Sequence, residues 1–205
     1  MPVRKSKTGR TQQERSDAMR RRLLDATVDC LVKFGYAGTT TTRVTELAGV
    51  TRGAQVHHFP TRADLVAAAV RHLAAKRAEL AIERVDAVRR SPDPLDAALD
   101  LLWELHQGPI HYATVEMWVA ARTDPDLREH LTRVEPAARA SVIELAEAAF
   151  GDYAENPRFR LIMYTAMDAI RGILLMGLSD EDTTNMQKRW RRAKVDLREL
   201  INAVV

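Results

Sequence analysis

Hydrophobic residues recur every three or four positions along most of this chain, whereas alternation of apolar and polar residues at every second position is scarce. A period between three and four residues is typical of an α-helix with one buried face. In the first predicted helix, the buried face is expected to carry Leu24, Val28, Leu31 and Phe34. In the second, it is expected to carry Val44, Leu47 and Ala48. Abundant Ala and Leu also favour helix, so the pattern predicts an all-α protein.

Residues that begin or end helices divide this pattern into nine segments. Ser16 or Asp17 is predicted to cap the first helix, and Gly35 to end it in the left-handed conformation that favours glycine. Thr61 is predicted to cap a long fourth helix with Asp64 at its N3 position, a weak form of the capping box. A disordered basic arm is predicted over residues 1–14, and the first helix is predicted to end near residue 34. The other eight predicted helices span residues 40–48, 51–59, 61–89, 94–107, 109–122, 126–150, 157–178 and 183–203.

The second and third helices are too short to be stable alone, yet a tight turn joins them. Thr40 and Thr51 are predicted to cap them, Gly49 to form the turn, and Pro60 to stop the third helix at Phe59. This layout is typical of a helix-turn-helix, whose second helix enters the major groove of DNA. A helical domain unrelated to DNA can also contain such a pair. The surrounding residues are therefore needed to distinguish a DNA-binding pair from a purely structural one.

At 100° per residue, the outward face of the third helix is predicted to carry Arg52, Gly53, Val56 and His57. Arg52 can form a bidentate contact with guanine, and Val56 can touch a thymine methyl group. Gly53 allows close approach of the backbone, and His57 can donate to a base or a phosphate. We therefore predict that this face contacts bases.

Phosphate contacts are predicted for the hydroxyl, imidazole and guanidinium groups around that face, namely Thr40, Thr42, Thr51, His58 and Arg62. Gln55, on the flank of the third helix, has two possible roles. Its amide can reach an adenine, or it can cap the edge of the core.

Charge is divided unevenly along the chain. Residues 1–62 contain 12 Lys and Arg against 5 Asp and Glu, whereas residues 63–205 contain 19 against 23. A basic amino-terminal part on a mildly acidic remainder indicates that one end meets a polyanion. The basic residues of the arm can enter a minor groove or follow phosphates, and a passive solubilising tail is the alternative.

A longer pattern resembles a known family. Residues 20–66 combine the segment LVKFGYAGTT, the turn AGV, the recognition helix RGA-x-x-HHF and the helix start TRADL. Their order and spacing are similar to those of the DNA-binding domain of TetR-family bacterial transcriptional repressors. The resemblance implies a two-domain, all-helical homodimer that releases a palindromic operator when a small molecule binds its carboxy-terminal domain. It implies a DNA-binding domain at residues 15–60 and an effector-binding and dimerisation domain at 61–205.

Two positions depart from the family pattern. Gln55 stands where most members carry an apolar residue, and Val56 stands where most carry a Tyr that contacts phosphate. That Tyr contact therefore cannot be transferred to this chain.

The last two predicted helices carry apolar rows at the spacing of a helix-packing seam. In helix 183–203 the row consists of Trp190, Ala193, Leu197, Leu200 and Val204. Helix 157–178 carries two such rows side by side. These helices can form the four-helix dimer interface that the resemblance implies, or they can pack inside one subunit.

An effector pocket is predicted where aromatic, histidine and methionine side chains concentrate with a few polar groups. Most of these residues lie in segment 101–122, and helix 157–178 is predicted to supply the opposite wall. The predicted effector-binding residues are Trp103, His106, His111, Tyr112, Met117, Trp118, Met163, Met167, Asp168 and Arg171. Asp168 and Arg171 are charged residues in an otherwise apolar helix, and a buried charge needs a partner. They can also pair with each other, three positions apart on the helix.

Two alternatives apply to the same segment. Aromatic residues and methionines at helical spacing can form ordinary core. Glu104, His106, His111 and Glu116 can in principle collect a metal ion, although a Gly-Pro break separates them. We predict neither a metal nor a cofactor.

Other classes of function lack support in the sequence. It contains no glycine-rich phosphate loop, nucleophile elbow, HExxH motif or zinc-ligand spacing, so we predict no catalytic residues. The single Cys30 excludes an intramolecular disulfide and suits a packed thiol in a reducing cytoplasm. No apolar run is long enough to cross a membrane, and the basic start lacks the apolar core of a secretory signal. The predicted function is a cytoplasmic, ligand-responsive repressor, and the alternative is an architectural DNA-binding protein without an effector.

Overall fold

The computed structural model describes residues 11–179 and 183–203, which form nine α-helices, two short 3-10 helices and no strand. The α-helices are α1 (Gln12–Gly38), α2 (Thr41–Ala48), α3 (Arg52–His58), α4 (Arg62–Arg89), α5 (Pro94–Leu105), α6 (Pro109–Ala121), α7 (Pro125–Phe150), α8 (Pro157–Met176) and α9 (Thr184–Asn202). The 3-10 helices, Gly151–Glu155 and Gly177–Ser179, follow α7 and α8. The all-α prediction is confirmed. Within the described residues, no helix has both the length and the apolar character needed to span a membrane.

The first helix begins earlier than predicted. Thr11 is its N-cap, because the Thr11 hydroxyl accepts the Glu14 backbone N–H and the Glu14 carboxylate accepts the Thr11 backbone N–H at 2.8 Å. This capping box replaces the caps predicted at Ser16 or Asp17 and brings the last part of the predicted disordered arm into the helix. The rest of that arm lies outside the described residues.

The caps and the turn predicted for the helix-turn-helix are confirmed. Thr40 caps α2 and Thr51 caps α3, and each hydroxyl accepts a backbone N–H of the first turn. Gly49, between the two helices, has φ 62° and ψ 43°, in the left-handed region that favours glycine. Pro60 follows the C-cap residue Phe59, so α3 stops after seven residues.

Gly35 bends the chain inside α1, with φ 64° and ψ −178°. The main part of α1 therefore ends where predicted, and a short turn continues in a new direction as far as Gly38. A Cβ atom on Gly35 would lie 2.7 Å from the Glu116 Oε2 atom of α6. Both the backbone conformation and the close approach of α6 favour glycine at this position.

One helix, α4, packs in the two largest clusters of buried side chains, and its Val66 lies in a third. Thr61 caps it, and the Asp64 carboxylate accepts the Thr61 N–H at 3.1 Å and the Thr61 hydroxyl at 2.8 Å, which confirms the predicted capping box. The first turns of α4 pack against α1 and α2 through Leu65, Ala68 and Ala69. Near its other end, Val88 belongs to a larger core formed with α5, α7, α8 and α9.

These two cores define the parts of the molecule. Residues 11–69 are termed the head, and residues 70–179 with 183–203 are termed the body. The head core thus includes the start of α4, beyond the boundary drawn at residue 60. Cys30 is fully buried in that core, and its burial raises the pKa of the thiol, as expected for a packed cysteine.

Two apolar side chains of the head lie outside its core, although their spacing predicts burial. The Phe34 ring is exposed beneath the Arg43 guanidinium, which lies 4.4 Å from the ring centroid. Leu47 of α2 is 50% exposed. Val44 and Ala48 therefore hold α2 to the head core without Leu47.

Candidate nucleic-acid interface

Helix α3 presents one side to solvent and is anchored through the residue that follows it. Phe59 is buried in the head core, whereas Val56 is among the exposed large hydrophobic residues. The exposed residues of α3 include all four that the sequence predicts to contact bases, Arg52, Gly53, Val56 and His57. This uncovered surface is termed the α3 face.

Gln55 does not belong to the α3 face. Its side chain is only 1% exposed, and its amide Nε2 donates to the Phe59 carbonyl oxygen at 2.6 Å. This bond gives a buried amide the partner that it needs at the end of α3. The predicted base contact of Gln55 is therefore wrong, and the alternative role at the edge of the core is confirmed.

Hydroxyl groups lie beside the α3 face. Thr40, Thr42 and Thr51 are all exposed or partly exposed at the starts of α2 and α3. The oxygens of Thr40 and Thr51 accept backbone N–H groups as helix caps, at 3.2 and 3.3 Å. A hydroxyl that accepts in this way still carries a hydrogen to donate, so both can cap a helix and contact a phosphate.

His58 is half-buried next to His57, with their ring centroids 5.3 Å apart. Burial lowers the pKa of His58, and the nearby His57 and Arg20 lower it further. The imidazole of His58 is therefore mostly neutral at neutral pH. Its predicted phosphate contact would be a hydrogen bond without a full positive charge.

Arg62 is engaged inside the protein. Its guanidinium carbon lies 3.9 Å from the centroid of the Tyr36 ring, and its Nη2 donates to the Tyr36 carbonyl oxygen. The side chain thereby links the start of α4 to the end of α1. It does not extend toward a phosphate as predicted, and it belongs to the junction between head and body.

Three arginines that no sequence motif singled out contribute to the head. Arg22 Nη2 donates to the carbonyl oxygens of Ala48 and Gly49, the second at 3.1 Å, and so fixes the turn of the helix-turn-helix. Arg20 and Arg43 are exposed and lie over aromatic rings of the head. Only the charge excess of the amino-terminal part could have pointed to them, and they add to the positive potential of the head.

Tyr36 joins the head to the body. Its hydroxyl donates to Asp124 Oδ2 at 2.9 Å, and its backbone N–H donates to Glu116 Oε2 at 2.8 Å. Burial and the hydrogen bond to Asp124 raise the pKa of Tyr36 to about 12, so the hydroxyl keeps its proton at physiological pH. Sequence reasoning missed this contact because it connects residues 88 positions apart.

A second contact at this junction joins α7 to the start of α4. His130 Nε2 lies 2.7 Å from Asp64 Oδ1, and His130 Nδ1 lies 2.8 Å from the Asp126 carbonyl oxygen. Because a carboxylate and a carbonyl only accept hydrogen bonds, this geometry fits the doubly protonated ring. The backbone bond to Asp126 and the bond to Asp64 raise the pKa of His130. A polar cavity of about 330 Å³ adjoins the contact, between head and body.

The buried apolar members of the predicted effector site are divided between two clusters of side chains. Trp103 stacks on Trp190 in the body core, with ring centroids 4.9 Å apart and ring planes at 6°. Met163 and Met167 are fully buried in the same core. Met117 packs in a different cluster, with side chains of α1, α4 and α7. These residues therefore contact protein atoms in this conformation and do not share one wall of a pocket.

Apart from the buried His111, the polar members of the predicted pocket lie nearer the surface. The Asp168 side chain is 78% exposed, so the expectation of a buried charge is wrong for this residue. Arg171 Nη1 lies 3.5 Å from Asp168 Oδ1, which is the alternative pairing, and its guanidinium lies over the ring of Trp118. Tyr112 is exposed, and His106 Nδ1 lies 2.8 Å from a backbone carbonyl one turn earlier.

The four residues that could collect a metal ion have other environments. Glu104 pairs with Arg84 at 2.5 Å, and Glu116 accepts a backbone N–H of α1. His111 is only 8% exposed. Throughout the described part of the chain, no group of three or more His, Cys, Asp or Glu side chains is placed to hold a metal ion.

Comparison with known proteins relates both parts of the molecule to transcriptional regulators. Residues 23–69 match the family described as bacterial regulatory proteins, tetR family. An HTH-type transcriptional regulator of Mycobacterium tuberculosis is 34% identical over 142 residues, which cover 69% of this chain and 73% of that protein. The HTH-type transcriptional repressor AcnR of Corynebacterium diphtheriae is 25% identical over 173 residues, covering 82% of this chain and 86% of AcnR.

The fold extends this similarity over the body. The crystal structure of the multidrug binding protein EbrR complexed with ethidium is 24% identical, with a TM-score of 0.61, and the match covers 87% of this chain and 97% of that one. At this level of identity the likeness concerns the fold alone, a helix-turn-helix head on a helical body. The sequence matches show that this chain belongs to the TetR family of bacterial regulatory proteins and is a DNA-binding transcriptional regulator, and its fold agrees with that.

Proposed function

We propose that this protein is a homodimeric repressor of the bacterial cytoplasm, which leaves a palindromic operator when a small molecule binds its body. The observation that carries the proposal is α4, whose two ends pack in the head core and in the body core. A change in the packing of the body therefore acts on the helix that supports the head. The effector must prefer the conformation in which the two heads no longer fit the operator.

The relatives are consistent with this role. AcnR is named as a repressor, and EbrR is named as a multidrug binding protein and was crystallised with ethidium. Repression and ligand binding thus both occur among proteins similar to this chain. Their own ligands and operators are not transferred to it.

In the proposed complex, α3 enters the major groove and its exposed face contacts the bases. Arg52 contacts a guanine, Val56 a thymine methyl group, and His57 a base or a phosphate. Gly53 allows the helix to approach closely. Flanking phosphates are contacted by the exposed groups beside α3, which are Thr40, Thr42, Thr51 and His58.

A second copy of the chain is proposed to cover an exposed side of α8 and α9. On α8, exposed residues follow one another at steps of four and three, namely Leu161, Thr165, Asp168, Gly172 and Leu175. Leu161 is 64% exposed, and a Cβ atom on Gly172 would meet no described residue within 4 Å. Another helix can therefore approach α8 closely along this stripe.

Helix α9 contributes to the same proposed interface with fewer residues than its sequence pattern suggests. Trp190 and Leu197 of the predicted seam are buried within the chain, which is the alternative of an intramolecular core. Val195 and Leu200 of α9 are exposed. Val204, the last member of the predicted seam, lies outside the described residues.

Sedimentation equilibrium tests the dimer. Leu175→Asp places a charge in the proposed interface, and we expect it to convert a dimer into a monomer and to weaken operator binding, because two heads bind together. Ile82→Asp is the control, since Ile82 is an apolar residue of α4 outside the proposed interface and is 64% exposed, against 49% for Leu175. A Leu175→Asp protein that remains dimeric would place the interface elsewhere.

Fluorescence anisotropy tests the repressor model. A duplex selected from a random library by repeated binding should be preferred over random DNA by about 10³-fold or more. An architectural protein would bind both alike. A panel of small molecules is then screened by thermal shift, and at least one compound that raises the melting temperature should release the selected duplex. Ligand responsiveness is contradicted if every stabilising compound leaves the duplex bound.

A further inference from the structure

Helix α3 has only two turns, and each turn carries part of the α3 face. Arg52 and Gly53 lie on the first turn, whereas Val56 and His57 lie on the second. A helix of seven residues is not stable by itself, so other groups have to hold its two ends. The group that holds the second turn therefore also orients Val56 and His57.

The first turn of α3 is held from its own side. The Thr51 hydroxyl accepts the Ala54 backbone N–H at 3.3 Å. In the turn before α3, Arg22 Nη2 donates to the carbonyl oxygens of Ala48 and Gly49. These contacts come from the N-cap and from α1, and none of them involves the second turn of α3. The second turn needs a different support.

Gln55 and Phe59 exchange two hydrogen bonds across the second turn. The Gln55 carbonyl oxygen accepts the Phe59 backbone N–H at 2.7 Å, and the Gln55 side-chain Nε2 donates to the Phe59 carbonyl oxygen at 2.6 Å. The backbone leaves the helix at Phe59, with φ −142° and ψ 98°, and Pro60 has no N–H with which to continue it. This pair of bonds encloses residues 56–58 and is termed the Gln55 clamp.

The Gln55 clamp is buried beneath the α3 face. Gln55 is 1% exposed and Phe59 is 4% exposed, so neither side chain can contact DNA in this conformation. An apolar side chain at position 55 could fill the same space, but it would leave the Phe59 carbonyl oxygen without this donor. Burying an amide is unfavourable unless the amide is hydrogen-bonded. Any effect of Gln55 on operator binding must therefore pass through the backbone of α3.

We propose that Gln55 is a positioning residue for operator recognition, whose bond to the Phe59 carbonyl oxygen holds the second turn of α3 and orients Val56 and His57 toward the bases. This role rests on the proposed docking of α3 in the major groove. Without the bond the second turn frays in the free protein, and its side chains have to be ordered when DNA binds. Because such ordering costs affinity, operator binding should weaken about tenfold.

Gln55→Met tests this role, since it removes the donor and keeps an unbranched side chain of similar length. In fluorescence anisotropy it should bind the selected duplex about tenfold more weakly than wild type and bind random DNA nearly as well. No charge changes, so the slope of affinity against salt concentration should stay the same. Val28→Ala is the control, because Val28 is buried in the same core but lies on α1. It should lower the melting temperature without loss of preference for the selected duplex.

Double-mutant cycles distinguish positioning from a general loss of stability. His57→Ala should weaken binding in wild type but add little in Gln55→Met protein, because its turn is already displaced. Val56→Ala should behave in the same way. Arg52→Ala, on the first turn, should weaken binding by the same factor in both backgrounds. If all three substitutions act by the same factor in both backgrounds, Gln55 has only a structural role and the proposal is overturned.

The same measurements separate failure of this role from failure of the docking model. If Arg52→Ala, Val56→Ala and His57→Ala all bind like wild type, the docking of α3 is wrong and the role of Gln55 falls with it. If they weaken binding while Gln55→Met does not, the docking stands and the role of Gln55 is wrong.

Hydrogen exchange of the wild-type protein, followed by nuclear magnetic resonance, tests the Gln55 clamp without any variant. The Phe59 amide hydrogen should be as well protected as those in the middle of α1, because a held turn does not open locally. This measurement decides if Gln55→Met does not fold. A Phe59 amide that exchanges as fast as an unprotected one would overturn the proposal.

Discussion

The head holds its candidate binding groups on its surface, whereas the body holds its own in a packed core. Arg52 and His57 are exposed on α3, which is fixed by caps and by a turn that Arg22 secures. In the body, Trp103 and His111 are buried. A duplex cannot enter a protein core, so a DNA-binding surface has to be formed in advance. A small molecule can be enclosed, so its site can be closed until it binds.

The junction between the two parts shows how one could influence the other. Tyr36 of the head is bonded to Asp124 of the body, and His130 of the body is bonded to Asp64 of the head. Both contacts converge near the start of α4, next to the helix-turn-helix. A rearrangement of the body that shifted α4 or α7 would have to break or remake them.

The largest effect is expected in the body core. Phe159→Ala removes a fully buried ring that packs against Phe150 at a centroid distance of 5.2 Å. Its cavity should lower the free energy of unfolding by about 3–5 kcal/mol, measured by urea denaturation. Ile82→Ala, at an exposed site, should change it by less than about 0.5 kcal/mol. Similar small losses in both would show that the body is loosely packed.

A smaller effect, on DNA binding alone, is expected at the α3 face. Arg52→Ala should cost about 1–3 kcal/mol of operator binding and relax specificity at one base pair, measured by anisotropy with single-base operator variants. Its melting temperature should match wild type because Arg52 is exposed. Arg71→Ala removes an exposed arginine of α4 outside the helix-turn-helix and serves as the control. Equal binding by the two variants would contradict the assigned face.

The junction contact between His130 and Asp64 should make stability depend on pH. The pKa of His130 is raised from 6.5, so its contribution is complete below that pH and is lost as pH rises through the higher folded value. The pKa of Asp64 is lowered from 3.8, mainly by Thr61, so its contribution is lost only as pH falls through the lower folded value.

The pair therefore stabilises the protein most between these limits, by about 1 kcal/mol or less because both groups are partly exposed. His130→Asn should be less stable than wild type near pH 5.5, and the difference should shrink in alkaline solution. Urea denaturation across that range measures it. If the difference in stability grows with pH, the doubly protonated His130 ring is the wrong assignment for this contact.

The smallest effect is expected at Leu47. Because this side chain is half exposed, Leu47→Gln should change the free energy of unfolding by less than about 0.5 kcal/mol. Val44→Ala, on the same helix, should cost more than about 1 kcal/mol, since Val44 is fully buried. Urea denaturation of both variants would show the reverse order if Leu47 held α2 to the core.

Local features were predictable from the sequence because neighbouring residues determine them. Thr40, Gly49 and Thr51 occupy caps and a turn that depend on a few adjacent positions. The missed start of α1 belongs to the same class, because Thr11 and Glu14 have the spacing of a capping box. The all-helical fold and most of the helix bounds followed from such signals.

Contacts between distant helices were not predictable from spacing alone. Periodicity assigns a residue to a helix face but does not tell which neighbour covers that face. Gln55 therefore turned out buried and Asp168 exposed. The stacking of Trp103 on Trp190 depends on how α5 meets α9, and no local pattern encodes that meeting.

Dimethyl sulfate footprinting on the selected duplex tests most directly whether α3 of two subunits occupies the major groove, because the reagent methylates guanine N7 in that groove. Two protected half-sites related by a twofold axis are expected, with centres about 34 Å or a multiple of that distance apart. Arg52→Ala should weaken protection of both half-sites together. A single protected site, or a footprint unchanged by Arg52→Ala and His57→Ala, would contradict the insertion of α3 from two subunits into the major groove.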